Sequence, residues 1–355
     1  MVSRVAELTH MGRGVAVQFH DPQIEMAHGA GGKATRRLVE GLLVPLLDAR
    51  RGEPPGDATF VELAGARIAM TADSFVVRPL TFPGGSIGTL AVNGTVNDLA
   101  VAGAIPKALL ITFVLEAGLP RDVLEAEVRA LAEAAHCAGV EIVGGDTKVV
   151  EHGKADGMYI TSAGIGLADP RTQVSPLGVR PGDRLLLSGY IGDHGSTVLL
   201  ARGQVDLEAT LCSDTRSVWP LVDRLLENAG AGVRWMRDPT RGGLATTLNE
   251  LARDTRLGVV LQEERVPVRE EVRGVCELLG LDPLHIANEG QFVAVLAPEY
   301  VDVALDAVRS MPGGEAAVII GEVRETHRGT VVASSSYGGN RIIDMLVGDP
   351  LPRIC

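Results

Sequence analysis

The chain of 355 residues is short of the features that mark disulfide-stapled, zinc-clamped, membrane or nucleic-acid-binding proteins. Its four cysteines, Cys137, Cys212, Cys276 and Cys355, lie far apart, with no C-x-x-C pair and no histidines at metal spacing, so a structural zinc site is not expected. Cys137 and Cys276 fall in expected helices and read as buried small hydrophobes. The first residues lack the apolar run of a signal peptide, and no stretch reaches the roughly 20 apolar residues of a membrane span. The expectation is a cytoplasmic protein with reduced thiols and no membrane contact. No basic stretch offsets a formal net charge of −12, which argues against nucleic acid as a partner. The substrate is then expected to be small, or carried on a protein.

What is present fits two domains: the length exceeds one comfortable core, hydrophobic residues make up 46%, and 43 glycines imply many tight turns or ligand loops. His28-Gly29-Ala30-Gly31-Gly32-Lys33 precedes a helical pattern with Leu38, Leu42, Leu43 and Leu46 on one face. It is not a Walker A loop, because Ala27 and Ala34 stand where glycine and a hydroxyl residue are needed. A glycine loop closing over phosphates and an ordinary turn both remain open.

An alternating strand, Arg67 to Asp73, ends on a carboxylate, and the helix after Pro83-Gly84-Gly85 carries Asn93, Asn97 and Asp98 on one polar face. Beyond a strand from Lys107 to Glu116, an amphipathic helix runs from Pro120 to a glycine stop at Gly139. Val140 to Val143 then reads as a short strand running into a glycine turn, Gly144-Gly145-Asp146-Thr147-Lys148. Asp73, Asp98 and Asp146 thus end or line separate elements of one α/β unit, and hard oxygen ligands suit Mg²⁺ on nucleotide phosphates. Taken singly, each aspartate also suits a cap or a turn.

Residues 169–183 are rich in turn formers and mark a boundary. Farther on, Gly192-Asp193-His194-Gly195 opens a helix, where His194 can cap, pack or touch substrate. Asp238-Pro239-Thr240-Arg241-Gly242-Gly243 opens another, an anion seat with Arg241 beside it or a capped helix with a surface arginine. Glu289, before a strand, is a turn acid or a general base. The chain ends Asp349-Pro350-Leu351-Pro352-Arg353-Ile354-Cys355, whose prolines favour an extended tether for the final thiol.

With these motifs in view, HGAGGKA, TADSF, FPGG, GTVNDLAV, GGDTKVV, GDHG, DPTRGG, RGVCELLGL, NEG and PLPRIC, the sequence from about His28 to Cys355 resembles the HypE family of carbamoyl dehydratases. That family sits in the superfamily of aminoimidazole ribonucleotide synthetase, selenophosphate synthetase and thiamine-monophosphate kinase. The aspartate and glycine motifs fit the whole superfamily, and PLPRIC singles out the family. The resemblance implies an α+β two-domain fold whose N-terminal domains pair into a barrel in a homodimer, with a flexible C-terminal tail. The matching divisions are an extension over 1–27, an ATP-binding and dimerisation domain over 28–168, a C-terminal α/β domain over 169–340 and a tail over 341–355.

By the same resemblance Asp73, Asp98 and Asp146 hold Mg²⁺ and ATP, with Thr147, Asn93, Asn97, Gly31, Gly32 and Lys33 around the nucleotide. Cys355, Lys148, Glu289 and Arg241 are the residues expected in the chemistry. The expected reaction is ATP-dependent dehydration of a carbamoyl group on Cys355 to a thiocyanate. HypF would deliver the carbamoyl group, and a HypC-HypD complex would accept the cyanide for the iron of a [NiFe]-hydrogenase. Selenophosphate synthesis is the alternative among enzymes, but it calls for a nucleophilic cysteine or selenocysteine near the glycine loop, and residues 21–36 hold none. A phosphotransferase would not need PLPRIC. A nucleotide-gated scaffold without chemistry is the alternative of another class.

Overall fold

The computed structural model describes residues 17–47, 56–203, 210–335, 338–348, 351 and 353–355. The expectation placed on Pro350 and Pro352, and most of that on the N-terminal extension, lies outside the described residues. The first half opens with α1 (Lys33–Leu38), a π-helical turn and the short α2 (Val44–Leu46). It continues through β1 (Thr59–Leu63), β2 (Ala66–Phe75), β3 (Thr81–Phe82), β4 (Gly85–Ser86), α3 (Ile87–Val101), β5 (Ala104–Glu116), α4 (Arg121–Ala138), β6 (Glu141–Val150) and β7 (Met158–Ala168). A five-stranded sheet results, in the order β1-β2-β7-β5-β6. Alternation sets its two faces: Leu109, Ile111, Met158 and Ile160 turn inward into one core with α3 and α4. Residues of the other parity, among them Met70, Leu110, Ile165 and Leu167, are exposed. Gly139, at φ 69°, ends α4 in the left-handed conformation that glycine adopts without a Cβ clash.

The second half contributes β8 (Arg184–Leu187), α5 (Asp193–Ala201), α6 (Trp219–Ala229), β9 (Val233–Arg237), α7 (Gly243–Thr255), β10 (Gly258–Gln262) and α8 (Glu270–Leu279). It ends with β11 (Val293–Leu296), α9 (Val301–Arg309), β12 (Val318–Arg324), β13 (Val331–Ser334) and β14 (Asn340–Ile343). Its seven-stranded sheet runs β14-β13-β10-β12-β8-β11-β9. Continuous apolar runs such as Leu185-Leu186-Leu187 and Val293 to Leu296 are buried on both faces, as a sheet covered on both sides requires. Residues 341–343, assigned to the tail from the sequence, pair with β13 instead.

Helix α3 is the hinge pin of the architecture. Nearly every residue is buried, because it packs on the first sheet and on α4 while also meeting α6 and β9 of the second half. Asn97 explains part of that placement. Its side-chain amide donates to the carbonyls of Arg216 and Glu289 and its oxygen accepts from the Val218 amide, which fastens the two halves together.

Two further sequence expectations change here. Gly144 to Lys148 is no glycine turn, for β6 runs unbroken from Glu141 to Val150 in parallel register with β5. A Cβ on Gly145 would stand 1.6 Å from the Ile111 carbonyl oxygen, so glycine here serves close strand approach. Cys276 is buried as expected, but Cys137 is exposed on α4 beside Glu133.

Candidate active site

A cavity of about 340 Å³ opens where the two halves meet, a size in the range of small-molecule sites. Seven acids line it, each from a separate segment: Glu40 in the π-helical turn, Asp57 before β1, Asp73 on β2, Asp98 on α3, Asp238 after β9, Glu250 on α7 and Glu289 before β11. Asp57, Asp98 and Asp238 each present an oxygen, all within 4.8 Å of one another. Burial raises the carboxyl pKa of all three, since the charged form loses water, and their mutual repulsion raises those of Asp98 and Asp238 further. Arg237 partly offsets this, donating to Asp57 at 2.8 Å and pairing with Glu250 at 2.9 Å. A hard divalent cation such as Mg²⁺ suits this oxygen donor set.

Glu289 is 3% exposed, and its Oε1 has no hydrogen-bond partner among the described residues. Burial pushes its carboxyl well above the usual range, and Asp238, Asp214 and Asp73 add to the effect. Thr246 Oγ1, at the start of α7, is likewise buried without a partner and lines the same cavity. Two unpartnered polar atoms facing one cavity fit a site built for a polar ligand.

The Cys355 sulfur accepts a hydrogen bond from Arg241 Nη1 at 3.0 Å, and Arg241 Nη2 lies 3.8 Å from Asp73. Burial pushes the thiol up to about 12, outweighing the pull of Arg241. Cys355 first, once its thiol ionises, and then Asp73 push the Arg241 pKa upward, so the guanidinium is cationic throughout the range in which the thiol keeps its proton. Arg353, two residues before the sulfur, pairs with Asp156 instead.

Gly31 and Gly32 line the cavity. Gly31 has φ 78° and approaches Arg241 so closely that a Cβ would fall 2.7 Å from that residue's own Cβ. Just beyond, the Lys33 and Ala34 amides donate to the carbonyls of Leu346 and Val347, so the glycine loop grips the segment that leads into the tail.

Other expected residues stand elsewhere. Asp146, Thr147 and Lys148 are exposed on β6, with Lys148 Nζ 2.6 Å from Asp146, and the strand register turns Asp146 and Lys148 to the same outer face as Leu110. Within one chain, therefore, Asp146 does not join Asp73 and Asp98, and the acids beside Asp98 are Asp57 and Asp238. Lys33 pairs with Asp344 outside the cavity, Asn93 is buried in α3 without lining it, and Asn97 serves the interdomain contact described above. Asp238 lay within a motif read for its arginine and helix start. Asp57 follows a stretch with no motif at all, and only the fold carries it to Asp98.

Two family models match the chain: AIR synthase related protein, N-terminal domain, over residues 55–168, and AIR synthase related protein, C-terminal domain, over 180–334. The two sheets and the cavity between them therefore define an AIR synthase related protein of two α+β domains. Carbamoyl dehydratase HypE of Azotobacter vinelandii is 48% identical over 339 residues, covering 96% of this chain and 99% of that protein. A hydrogenase maturation protein HypE solved in complex with ATP superposes with a TM-score of 0.78 at 43% identity, covering 94% of this chain and all of that one. A HypE–HypF complex gives a TM-score of 0.80 at 42% identity, covering 86% and 100%. The chain belongs to the HypE family, the carbamoyl dehydratases of hydrogenase maturation.

Proposed function

We propose that this chain dehydrates a carbamoyl group carried on its own Cys355, converting the thiocarbamate to a thiocyanate at the expense of ATP, and so supplies cyanide for the iron of a [NiFe]-hydrogenase. The observation that carries this reading is the seat of the Cys355 sulfur, bonded to Arg241 at the edge of the cavity that holds Glu289 and the aspartate cluster. A relative solved with ATP supports nucleotide binding, for which this cavity, lined by the glycine loop and the acids, is the site we assign. The carbamoyl oxygen is a very poor leaving group; ATP, with Mg²⁺ offsetting phosphate charge, supplies the phosphoryl group that lets this oxygen depart as phosphate.

Asp57, Asp98 and Asp238 would hold the cation, with Asp73 close by. Arg241 would orient the sulfur and stabilise charge developing on the carbamoyl oxygen next to it. Glu289 would take the N–H proton, since burial makes its carboxylate a stronger base than a solvated one. Loss of both carbamoyl protons and of the oxygen, as phosphate, leaves the C≡N triple bond. The buried, protonated thiol is unreactive where it sits, so carbamoyl transfer from HypF would require the tail to leave the cavity; a relative's complex with HypF supports that partner. The tail would emerge again to pass cyanide to HypC-HypD.

A homodimer completes the reading. The outer face of the first sheet exposes Met70, Leu110, Ile165 and Leu167, and β6 is an edge strand carrying Asp146 and Lys148 on that face. An apolar sheet face with an open edge suits burial against a second copy, barrel-fashion, which would give Asp146 and Lys148 a site shared between copies.

Intact-mass analysis of the full chain incubated with HypF, carbamoyl phosphate and ATP tests the chemistry. The wild type is expected to pass from the carbamoyl to the nitrile mass. Cys355→Ala should gain no carbamoyl group, and Glu289→Gln should accumulate the carbamoylated form, with nitrile formation slowed about 10²-fold or more. Carbamoylation of another cysteine, or unslowed nitrile formation by Glu289→Gln, would overturn the assignment.

A further inference from the structure

The docked tail is bound through its main chain as well as its thiol. Ile354 is 1% exposed, and Leu351, Ile354 and Cys355 all pack into the core built around α3 and α5. Each of the last three main-chain oxygens accepts a hydrogen bond. Arg353 O takes one from the Arg78 amide at 3.3 Å and another from Arg202 Nη2, Ile354 O takes one from His194 Nε2 at 2.6 Å, and Cys355 O takes one from the Val76 amide at 3.1 Å. A carbonyl can only accept, so His194 Nε2 carries the proton, and Nδ1 accepts from the Ser213 hydroxyl at 2.8 Å. Burial depresses the His194 pKa to about 4, which keeps the ring in that neutral form. Phe82 packs edge-on against the ring at 5.5 Å.

Arg353 is held differently. Its side chain pairs with Asp156, which also binds Arg78 at 3.1 Å and the Tyr159 hydroxyl at 2.9 Å. Arg202 Nε ties back to the Arg78 carbonyl at 2.8 Å. Arg353 has φ 61°, a left-handed conformation that non-glycine residues keep only where their surroundings over-determine it. Release of these contacts would let that residue relax, so the docked tail is poised to leave.

We infer that His194, backed by Ser213, together with Arg202 and Asp156, forms a latch that reads the tail's last carbonyls and the Arg353 side chain and so positions Cys355 in the cavity. These are positioning residues; none touches the sulfur. The latch draws on both halves, Asp156 from the first and His194 and Arg202 from the second, so docking of the tail also bridges them. The inference rests on the proposed dehydration for its purpose, but its existence is measurable without that chemistry.

The test is the rate at which N-ethylmaleimide labels Cys355 in the full, uncarbamoylated chain without ATP, read by peptide mass spectrometry against the exposed Cys137 as internal reference. Asp156→Ala and His194→Ala are expected to raise Cys355 labelling at least tenfold relative to Cys137, and His194→Gln, which can still donate to Ile354 O, to restore slow labelling. Asp156 is at the surface end of the latch, so its variant reports even where a change at buried His194 prevents folding. Unchanged Cys355 labelling in folded Asp156→Ala would overturn the latch. On chain carbamoylated in advance, Asp156→Ala should slow nitrile formation at saturating ATP while leaving the KM for ATP unchanged; faster labelling with undiminished nitrile formation would overturn the positioning role. Absence of nitrile from the wild type would defeat the proposed dehydration alone, with the labelling comparison still deciding the latch.

Discussion

The cavity between the two halves and the outer face of the first sheet carry similar sequence signals and opposite surroundings. Asp98 and Asp146 both belong to glycine-containing motifs, yet Asp98 sits among crowded acids in the interior and Asp146 stands on an exposed strand with Lys148 as its partner. Burial first, and then the crowding, raise the pKa of Asp98, whereas the hydrogen bond from Lys148, ahead of one from the Thr147 amide, lowers that of Asp146. The interior acids are destabilising until a cation or a proton arrives, which is the signature of a binding site maintained against stability. The outer face has the reverse character: its charges are satisfied and its apolar residues are not.

Three experiments would sharpen or break that contrast. The largest effect is expected from Asp98→Asn: ATP-dependent turnover should fall at least 10²-fold, while the ligand-free chain should melt a few degrees higher because one repelling carboxyl is gone. A fall in both would show that Asp98 stabilises the fold and would remove the contrast. Next, Leu110→Asp with Ile165→Asp should convert a dimer to monomers in sedimentation, with loss of any activity that depends on Lys148; a chain that stays dimeric would place the second copy on another surface. The smallest effect concerns His194. Its pKa in the fold, about 4, lies below the ordinary 6.5, so its contribution to stability is fully present above pH 6.5 and is lost as pH falls through 4. Each pH unit crossed in that interval should cost about 1.4 kcal/mol in urea unfolding. His194→Gln should flatten the profile, and an unchanged slope would mean that the ring is protonated in the fold.

Much of the architecture was legible because local periodicity and turn chemistry agree with the tertiary result. The segment from Lys107 to Glu116 reads as a strand and lies within β5, and Gly139 ends α4 as a left-handed cap should. Asp73, Asp98, Arg241 and Glu289 were all nameable from motifs, and the fold gathers them at one cavity. The misreadings are equally physical. The Gly144-Gly145 pair looked like a turn because close strand approach and reversal of direction ask for the same residue. Asn97 looked like a ligand contact because a buried amide facing a ligand and one bonding to another domain's backbone have the same sequence appearance.

The amino-acid order alone settled the alternation that gives the first sheet its two faces, the continuous apolar runs that bury the second, and the placement of a thiol after a short Pro-containing segment, because each depends on neighbours a few residues away. The tertiary structure alone decided that Asp57 and Asp238 meet Asp98, that Asp146 does not, and that the sulfur answers to Arg241 while Arg353 answers to Asp156. Those outcomes depend on which distant segments are brought within a few ångströms, where desolvation and Coulomb forces become strong enough to set the charge of a group.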